Sequence, residues 1–401
     1  MQEHRKYFGQ HIFTTYMATV PVGIISGVAA AVGRPDLFMH IIAGIGEVDS
    51  AEPSHALWEM GRLVSASDEL TEAFNNGVEG VLDRLSESTE TETQSFLEAF
   101  EDFVYAYGSR GPNEWEVRSP SWETRPELAL SAIERMRLAP EEAAPKTQHA
   151  LRSAQRKEAA AQLLSMVEGD PAVHGELSAG IASSMAWLPG RERTKTNNIR
   201  LIHEIRVRMR VIGERMVALG AFDEIEDFGF LEENEYSDLF ANPLSKLDTI
   251  RTRREEYYGL LEREAQFLFH GEADPPETWR RRDDAAEEKL EPGGTIQGMP
   301  GCPGSAQGRA RVILDSNDPT ELEPGDILVA PITDPSWTPL FVPAAAVIVD
   351  VGAPLSHAII VSRELGIPCI VSATDATRRI PNGALVQVDG DTGVVTVLEE
   401  E

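Results

Sequence analysis

The sequence predicts a multidomain protein in which a large all-α domain is followed by a small α/β domain. From residue 1 to about 270, apolar residues recur at helical spacing, with Pro and Gly mainly at the breaks between periodic runs. After Gly294 the period shortens to that of strands. A chain of 401 residues is long enough for two or three cores, so a single domain is not expected.

Residues 12–33, "IFTTYMATVPVGIISGVAAAVG", carry no charge over roughly the length of a bilayer span. Thr, Ser, Gly and Pro dilute the run, and neither a short basic start nor an A-x-A-like cleavage site accompanies it. Buried helices of a soluble, cytoplasmic protein, without a membrane partner, are expected here. Further helices are expected across "HALWEMGRLVSAS", "TQSFLEAFEDFVYAYG" and "LDTIRTRREEYYGLLEREAQFLF". The strongest lies in "NNIRLIHEIRVRMRVIGERMVALG", where Ile202, Ile205, Met209, Ile212, Met216 and Leu219 make one apolar stripe. Gly220 stands where its C-cap is expected.

The run from 271 to 293 is rich in Pro, Gly and charge and offers little apolar surface, which reads as a flexible linker. Its three arginines, Arg280 to Arg282, read as a solvated face. The helical domain is therefore bounded at 1–270 and the α/β domain at 294–401. In the latter, strands are expected in "GRARVIL", "GDILVA", "AAVIVD", "PCIVS", "ALVQVD" and "GVVTVL", several of them separated by turn signals such as Pro324-Gly325 and Asn382-Gly383.

Lys and Arg number 36 against 66 Asp and Glu, a formal charge of −30, which opposes nucleic-acid binding. Proteins or small molecules are the expected partners. The two cysteines, Cys302 and Cys369, have neither C-x-x-C nor zinc spacing, so no disulfide scaffold and no metal site is expected.

One histidine has a position with chemical content. In "VGAPLSHAIIVSRELGIPCIV" a strand and a loop lead to Ser356, a natural N-cap, and His357 opens a helix that Gly366 and Pro368 end. An imidazole there lies beside free backbone N–H groups and the positive end of the helix dipole, where a phosphoryl group can be met by donors. Its ordinary pKa leaves it a neutral nucleophile near pH 7. Position alone favours a surface histidine capping a helix.

The wider sequence is more specific. "PGDILVAPITDPSWTPLF", "AAAVIVDVGAPLSHAIIVSRELGIPCIV" and "NGALVQVDGDTGVVTV" together resemble the phosphohistidine, or mobile, domain of the phosphoenolpyruvate-utilising enzymes. "TDPSWTPLF", the "LSH" before the helix, "YAYGSRGPNEWEVRSPSWETRPE" and "GRERTKTNNIRLIHEIR" are similar to the rifampicin phosphotransferase branch. Ser109, Glu116 and Ser121 depart from that branch's usual residues.

The resemblance implies that the α/β domain swivels and that His357 is its phosphorylated residue, with Ser356, Gly352, Arg363, Thr333, Asp334 and Thr338 supporting the phosphate and Trp337 in the same loop. Ser356 is expected to cap the helix, and Arg363 is either a phosphate contact or a partner for Glu364. For the acceptor side the candidates are Arg110, Glu114, Glu116, Arg191, Lys195, Asn198 and His203. Residues 191 to 215 hold eight Arg or Lys against three Glu, a local positive patch that suits an incoming phosphohistidine or pairs with acidic surroundings.

No G-x-x-x-x-G-K-[ST] occurs. The implied arrangement is a split enzyme in which ATP and Mg sit on an ATP-grasp partner subunit and no cofactor binds this chain. His357 then carries the phosphoryl group to a small-molecule hydroxyl held by the helical domain, with elimination of the phosphorylated alcohol, a net dehydration, as a variant. The competing expectation is a non-catalytic phosphocarrier or protein-binding regulatory module.

Overall fold

The structure, a computed structural model, describes residues 2–46, 48–49, 51–141, 144–265, 269–281, 289–315, 322–334, 337–354 and 356–399. Its helices are α1 (Gln2–Ala31), α2 (Pro35–Ile41), α3 (Glu52–Ala66), α4 (Asp68–Asn75), α5 (Val81–Leu85), α6 (Thr91–Tyr107), α7 (Glu127–Leu138), α8 (Pro145–Met166), α9 (Pro171–Ala218), α10 (Tyr236–Ala241), α11 (Leu247–Leu261), α12 (Thr338–Phe341), α13 (His357–Leu365) and α14 (Ala376–Arg379). The strands are β1 (Thr295–Gln297), β2 (Met299–Cys302), β3 (Ser305–Val312), β4 (Ile327–Ala330), β5 (Ala346–Val349), β6 (Cys369–Val371), β7 (Leu385–Asp389) and β8 (Val394–Glu399). The architecture is the predicted one, a large helical region followed by a small mixed-sheet domain.

Contacts group the chain into two compact units. The first comprises Met1–Trp115, Ser119–Leu201 and Lys289–Glu401, the second Glu116–Arg118 and Ile202–Glu288. This grouping does not follow the expected division at 270 and 293, because the α/β residues share a core with the helices before residue 202. Leu57, Phe96, Phe103, Trp122 and Ile133 belong to the same buried cluster as Trp337, Phe341, Val347, Ile359 and Leu365.

In the first unit α1 is a single helix with one buried edge. Ala18, Val22, Ile25 and Ala29, three or four residues apart, are inside, whereas Phe13, Tyr16 and Val20 are exposed. The buried edge clusters with Leu37 and Ile41 of α2, Leu163 of α8 and Leu177 of α9. The expectation of buried helices is thus corrected: an uncharged run needs only one apolar edge to dock, and its Thr, Ser and Gly positions let the other face meet solvent. Arg5–Ala31 is also, by length and composition, apolar enough to cross a membrane.

The sheet runs β1-β8-β7-β3-β4-β5-β6-β2. Strands β3, β4, β5 and β6 are parallel neighbours, and β2, β7, β8 and β1 add antiparallel edges. Every residue of β4 and β5 is buried. Leu328, Ala330, Val347 and Val349 face the helical cluster, while Ile327, Val329, Ala346 and Ile348 face a second core with Ile380 and Val395. Burial on both faces explains the continuous apolar runs in these strands. Adjacent parallel strands also bring their C-terminal ends together, the place where open α/β sheets present binding loops. The loops after β4 and β5 carry residues 331–337 and 350–356.

The second unit packs Met216, Phe222, Phe228, Phe230, Leu239 and Ile250 around the end of α9, α10 and α11. The part of the expected linker that is described, 271–281, folds onto the end of α11 rather than standing free. The Glu264 N–H donates to the Arg280 carbonyl at 2.9 Å, and Arg263 Nη1 donates to the Glu277 and Trp279 carbonyls at 3.0 Å. Arg280 pairs with Glu264 and Arg281 with Glu262, so these two arginines are paired surface groups. Arg282 lies outside the described residues, and the boundary between the units, at Glu288 and Lys289, falls inside the expected linker.

Candidate phosphohistidine site

Helix α13 begins where the sequence places it. Ser356 has extended backbone, φ −69° and ψ 157°, and its carbonyl accepts the Ile360 N–H at 3.1 Å, which starts the helix. Its side chain makes no capping bond, contrary to expectation. The hydroxyl is buried without a hydrogen-bond partner among the described residues and lies against Gly352, where a Cβ would come within 3.2 Å of it. Gly366 ends the helix in the left-handed region, φ +75°, which favours glycine.

The loop after β4 and the first residue of α12 each supply one hydroxyl to the His357 ring. Thr338 Oγ1 lies 3.1 Å from Nε2, Thr333 Oγ1 lies 3.2 Å from Nδ1, and Phe341 presents a perpendicular ring at a centroid distance of 5.9 Å. Both ring nitrogens are thereby oriented, and the imidazole is half-buried. Burial first, and then the positive charges of Lys195, Arg110 and Arg191, hold its pKa well below the ordinary histidine range. The ring is neutral near pH 7, the nucleophilic form, and an anionic group placed on it would meet three cations.

Those cations are themselves organised. Arg110 and Glu114 are buried and paired at 2.7 Å, and Lys195 meets the other oxygen of Glu114 at 3.0 Å. Arg110 Nη1 donates to Thr196 Oγ1 at 2.8 Å. The loop carrying Arg110 is closed by hydrogen bonds from the Trp122 N–H to the Arg110 carbonyl and from the Glu123 N–H to the Gly108 carbonyl. Gly111 is required inside it because a Cβ would lie 2.6 Å from the Pro120 carbonyl. Asp334 reaches this loop and accepts the Asn113 N–H at 2.5 Å.

The structure therefore brings His357, Thr333, Thr338, Asp334, Arg110, Glu114, Arg191 and Lys195 into one neighbourhood. Arg191 pairs with Glu192, and Asn198, buried, donates to the Tyr7 carbonyl at 3.1 Å and so ties α9 to α1. Arg363 is turned to main chain: Nε donates to the Gly301 carbonyl at 3.0 Å and Nη1 to that of Pro354 at 3.3 Å. It braces the loop before His357 instead of pairing with Glu364, whose carboxylate binds His149 at 3.3 Å. Trp337 is a buried core residue. Glu116 and His203 fall in the second unit, where Arg206 donates to the Glu116 carbonyl at 3.1 Å and lies 3.2 Å from His203 Nδ1. In the basic stretch, Arg193 pairs with Asp49 and Arg210 with Glu226, so acidic surroundings absorb much of the patch. Pro335 and Ser336 of "TDPSWTPLF", and Leu355 of "LSH", lie outside the described residues.

Sequence reasoning missed Thr196, Asn113 and His11. The last, in α1, sits beside Thr194 and Trp115, and its only sequence signal was a histidine followed by two threonines at the start of an uncharged run.

Comparison with known proteins assigns both parts. Residues 11–192 match the rifampicin phosphotransferase fourth domain, and residues 322–393 match the PEP-utilising enzyme mobile domain. A rifampicin phosphotransferase of Streptomyces sviceus is 30% identical over 369 residues, covering 87% of this chain and 40% of that protein. The prodigiosin synthesizing transferase PigC of Serratia marcescens is 30% identical over 324 residues, 78% of this chain and 35% of that protein. An uncharacterized phosphotransferase, YvkC, of Bacillus subtilis is 27% identical over 359 residues, 87% of this chain and 42% of that protein. The chain thus spans less than half the length of these relatives. With a fourth-domain helical region and a mobile domain whose "SHA" histidine opens α13, the chain belongs to the rifampicin phosphotransferase-like branch of the PEP-utilising enzyme family.

Proposed function

We propose that this chain is the acceptor-binding and phosphoryl-carrying part of an ATP-dependent phosphotransferase. The observation that carries the reading is the His357 imidazole, half-buried, held at both nitrogens by Thr333 and Thr338 and faced by Arg110, Arg191 and Lys195. Such a ring is a neutral nucleophile whose phosphorylated form is favoured by fixed cations.

The cycle has two displacements. An imidazole nitrogen takes the β-phosphoryl group of ATP, bound with Mg on an ATP-grasp module of a partner polypeptide, so that ATP, water and the histidine give AMP, inorganic phosphate and phosphohistidine. The mobile domain then delivers the group to a hydroxyl of a small molecule held by the helical region: an O–P bond forms, the N–P bond breaks, and the hydroxyl proton leaves to a base. Splitting the reaction lets one side chain visit two water-excluded sites. The relatives whose names include rifampicin phosphotransferase and prodigiosin synthesizing transferase support a small-molecule acceptor. Where the phosphate ester then eliminates, the net reaction is dehydration, and phosphate would be recovered free with an alkene instead of as an ester.

The test is incubation with [β-³²P]ATP and a separately produced ATP-grasp protein. An acid-labile label on the wild-type chain, absent from His357→Ala and absent without the partner, is expected. An unlabelled wild type, or equal labelling of the alanine variant, rejects the carrier role. Labelling by the chain alone rejects the division between two polypeptides.

A further inference from the structure

We propose that His11 is the base that takes the proton from the acceptor hydroxyl, and that the acceptor is an alcohol on an apolar, aryl-sized body. This rests on the phosphocarrier reading and adds to it the residue and substrate class on the acceptor side.

His11 belongs to the first unit, and two independent connections lead from it to the cations that face His357. Its Nδ1 lies 3.2 Å from Thr194 Oγ1, and Thr194 immediately precedes Lys195 on α9. Its ring also packs at 5.8 Å on Trp115, the residue after Glu114, which holds Lys195 and Arg110. Arg191 and Lys195 act electrostatically on both imidazoles.

The hydrogen bonds also accommodate the tautomer that this role needs. Thr194 Oγ1 lies 2.9 Å from the Arg191 carbonyl and 2.8 Å from Thr14 Oγ1, which donates to the His11 carbonyl at 2.9 Å; with the Thr194 proton given to either oxygen, its own oxygen can accept an N–H from Nδ1 of His11. The lone pair is then on Nε2. Burial first, then Arg191 and Lys195 against the opposing Glu192, lowers the pKa, so the basic form persists through neutral pH.

The surface beside this ring is apolar yet open. Phe8 is 43% exposed and Trp115 38%, and the two rings meet edge to face at 6.2 Å. An arylalkanol resting there puts its hydroxyl at the imidazole while the phosphohistidine comes from the cationic side. In the transfer the O–H proton passes to Nε2, the oxygen forms the O–P bond, and the N–P bond to His357 breaks with its electron pair returned to that ring.

The experiment loads the full-length chain with potassium phosphoramidate, which phosphorylates imidazole without ATP, to less than one phosphate per chain. The His357 phosphate is followed by site-resolved mass spectrometry, with 2-naphthylmethanol or 3-phenylpropanol as acceptor and the aryl phosphate read by ³¹P NMR. Wild type should lose the phosphate to the alcohol, with a rate that falls on an acid limb below about pH 6.5. His11→Gln, brought to the same label, should transfer about 10²–10⁴-fold more slowly and lose the acid limb. In His11→Ala, added imidazole should restore transfer, which a collapsed fold would not allow. Transfer by His11→Gln within about threefold of wild type, with the limb retained, overturns the role of His11. A wild-type phosphate lost equally fast with and without the alcohols overturns the acceptor class. A folded wild-type chain whose His357 takes no phosphate rejects the carrier reading itself.

Discussion

Glu114→Gln is the perturbation whose size the structure sets most directly. Glu114 is fully buried and its two carboxylate oxygens meet Arg110 at 2.7 Å and Lys195 at 3.0 Å. Removing the one anion leaves two cations in a low-dielectric site, a loss of about 3–5 kcal/mol for a buried pair broken from one side. The unit that contains it has roughly 300 residues, for which an unfolding entropy of about 2.1 cal/mol/K per residue converts that loss to a fall in Tm of about 5–8 °C. Calorimetry checks it. A Glu114→Gln protein melting within about 1 °C of wild type would refute the account of the network. The triple variant Arg110→Met, Glu114→Leu, Lys195→Met separates stability from chemistry. With no charge left unpaired it should recover most of the lost stability, yet it should not transfer phosphate.

Three further predictions address the carrier and its surroundings. Thr333→Val and Thr338→Val each remove one hydrogen bond to the His357 ring, about 1 kcal/mol, so each should slow loading about fivefold; a double variant loading at the wild-type rate would contradict the clamp. The Glu364 hydrogen bond raises the His149 pKa, so the stability this tie adds is fully present below the unfolded value and is lost as pH rises through the folded one. NMR titration should place His149 higher in wild type than in Glu364→Gln, and equal values would remove the tie. Burial pushes the Cys302 thiol up to about 11 and Cys369 up to about 12, so neither should react with iodoacetamide at pH 8 in the folded chain while both do so in denaturant.

Much of the α/β domain was legible because its strands are short apolar runs between turn signals. All six expected strands exist. β1 and β2 were missed because "TIQGMPGC" reads as a turn: Gly and Pro interrupt it, and only pairing with β8 and β6 makes it extended. In the helical region α1 was misjudged because an uncharged run does not say how many of its faces are covered.

At the site, His357 was legible through position and a specific motif, and Thr333 and Thr338 through the loop that accompanies it. The fate of Arg363 was not, since the carbonyls that it binds, Gly301 in β2 and Pro354 in the loop after β5, approach it only through the sheet order. His11 was hidden for a similar reason: Thr194 is 183 residues away in sequence, and nothing local says that α1 and α9 meet there.

The central claim is that a phosphoryl group rides on His357. Mass spectrometry of the full-length chain, after incubation with ATP and an added ATP-grasp protein and digestion at alkaline pH, tests it most directly. The account predicts one phosphohistidine, at His357, discharged when the hydroxylated acceptor is added. Phosphate found only at another residue, or a His357 phosphate that the acceptor never discharges, would contradict it.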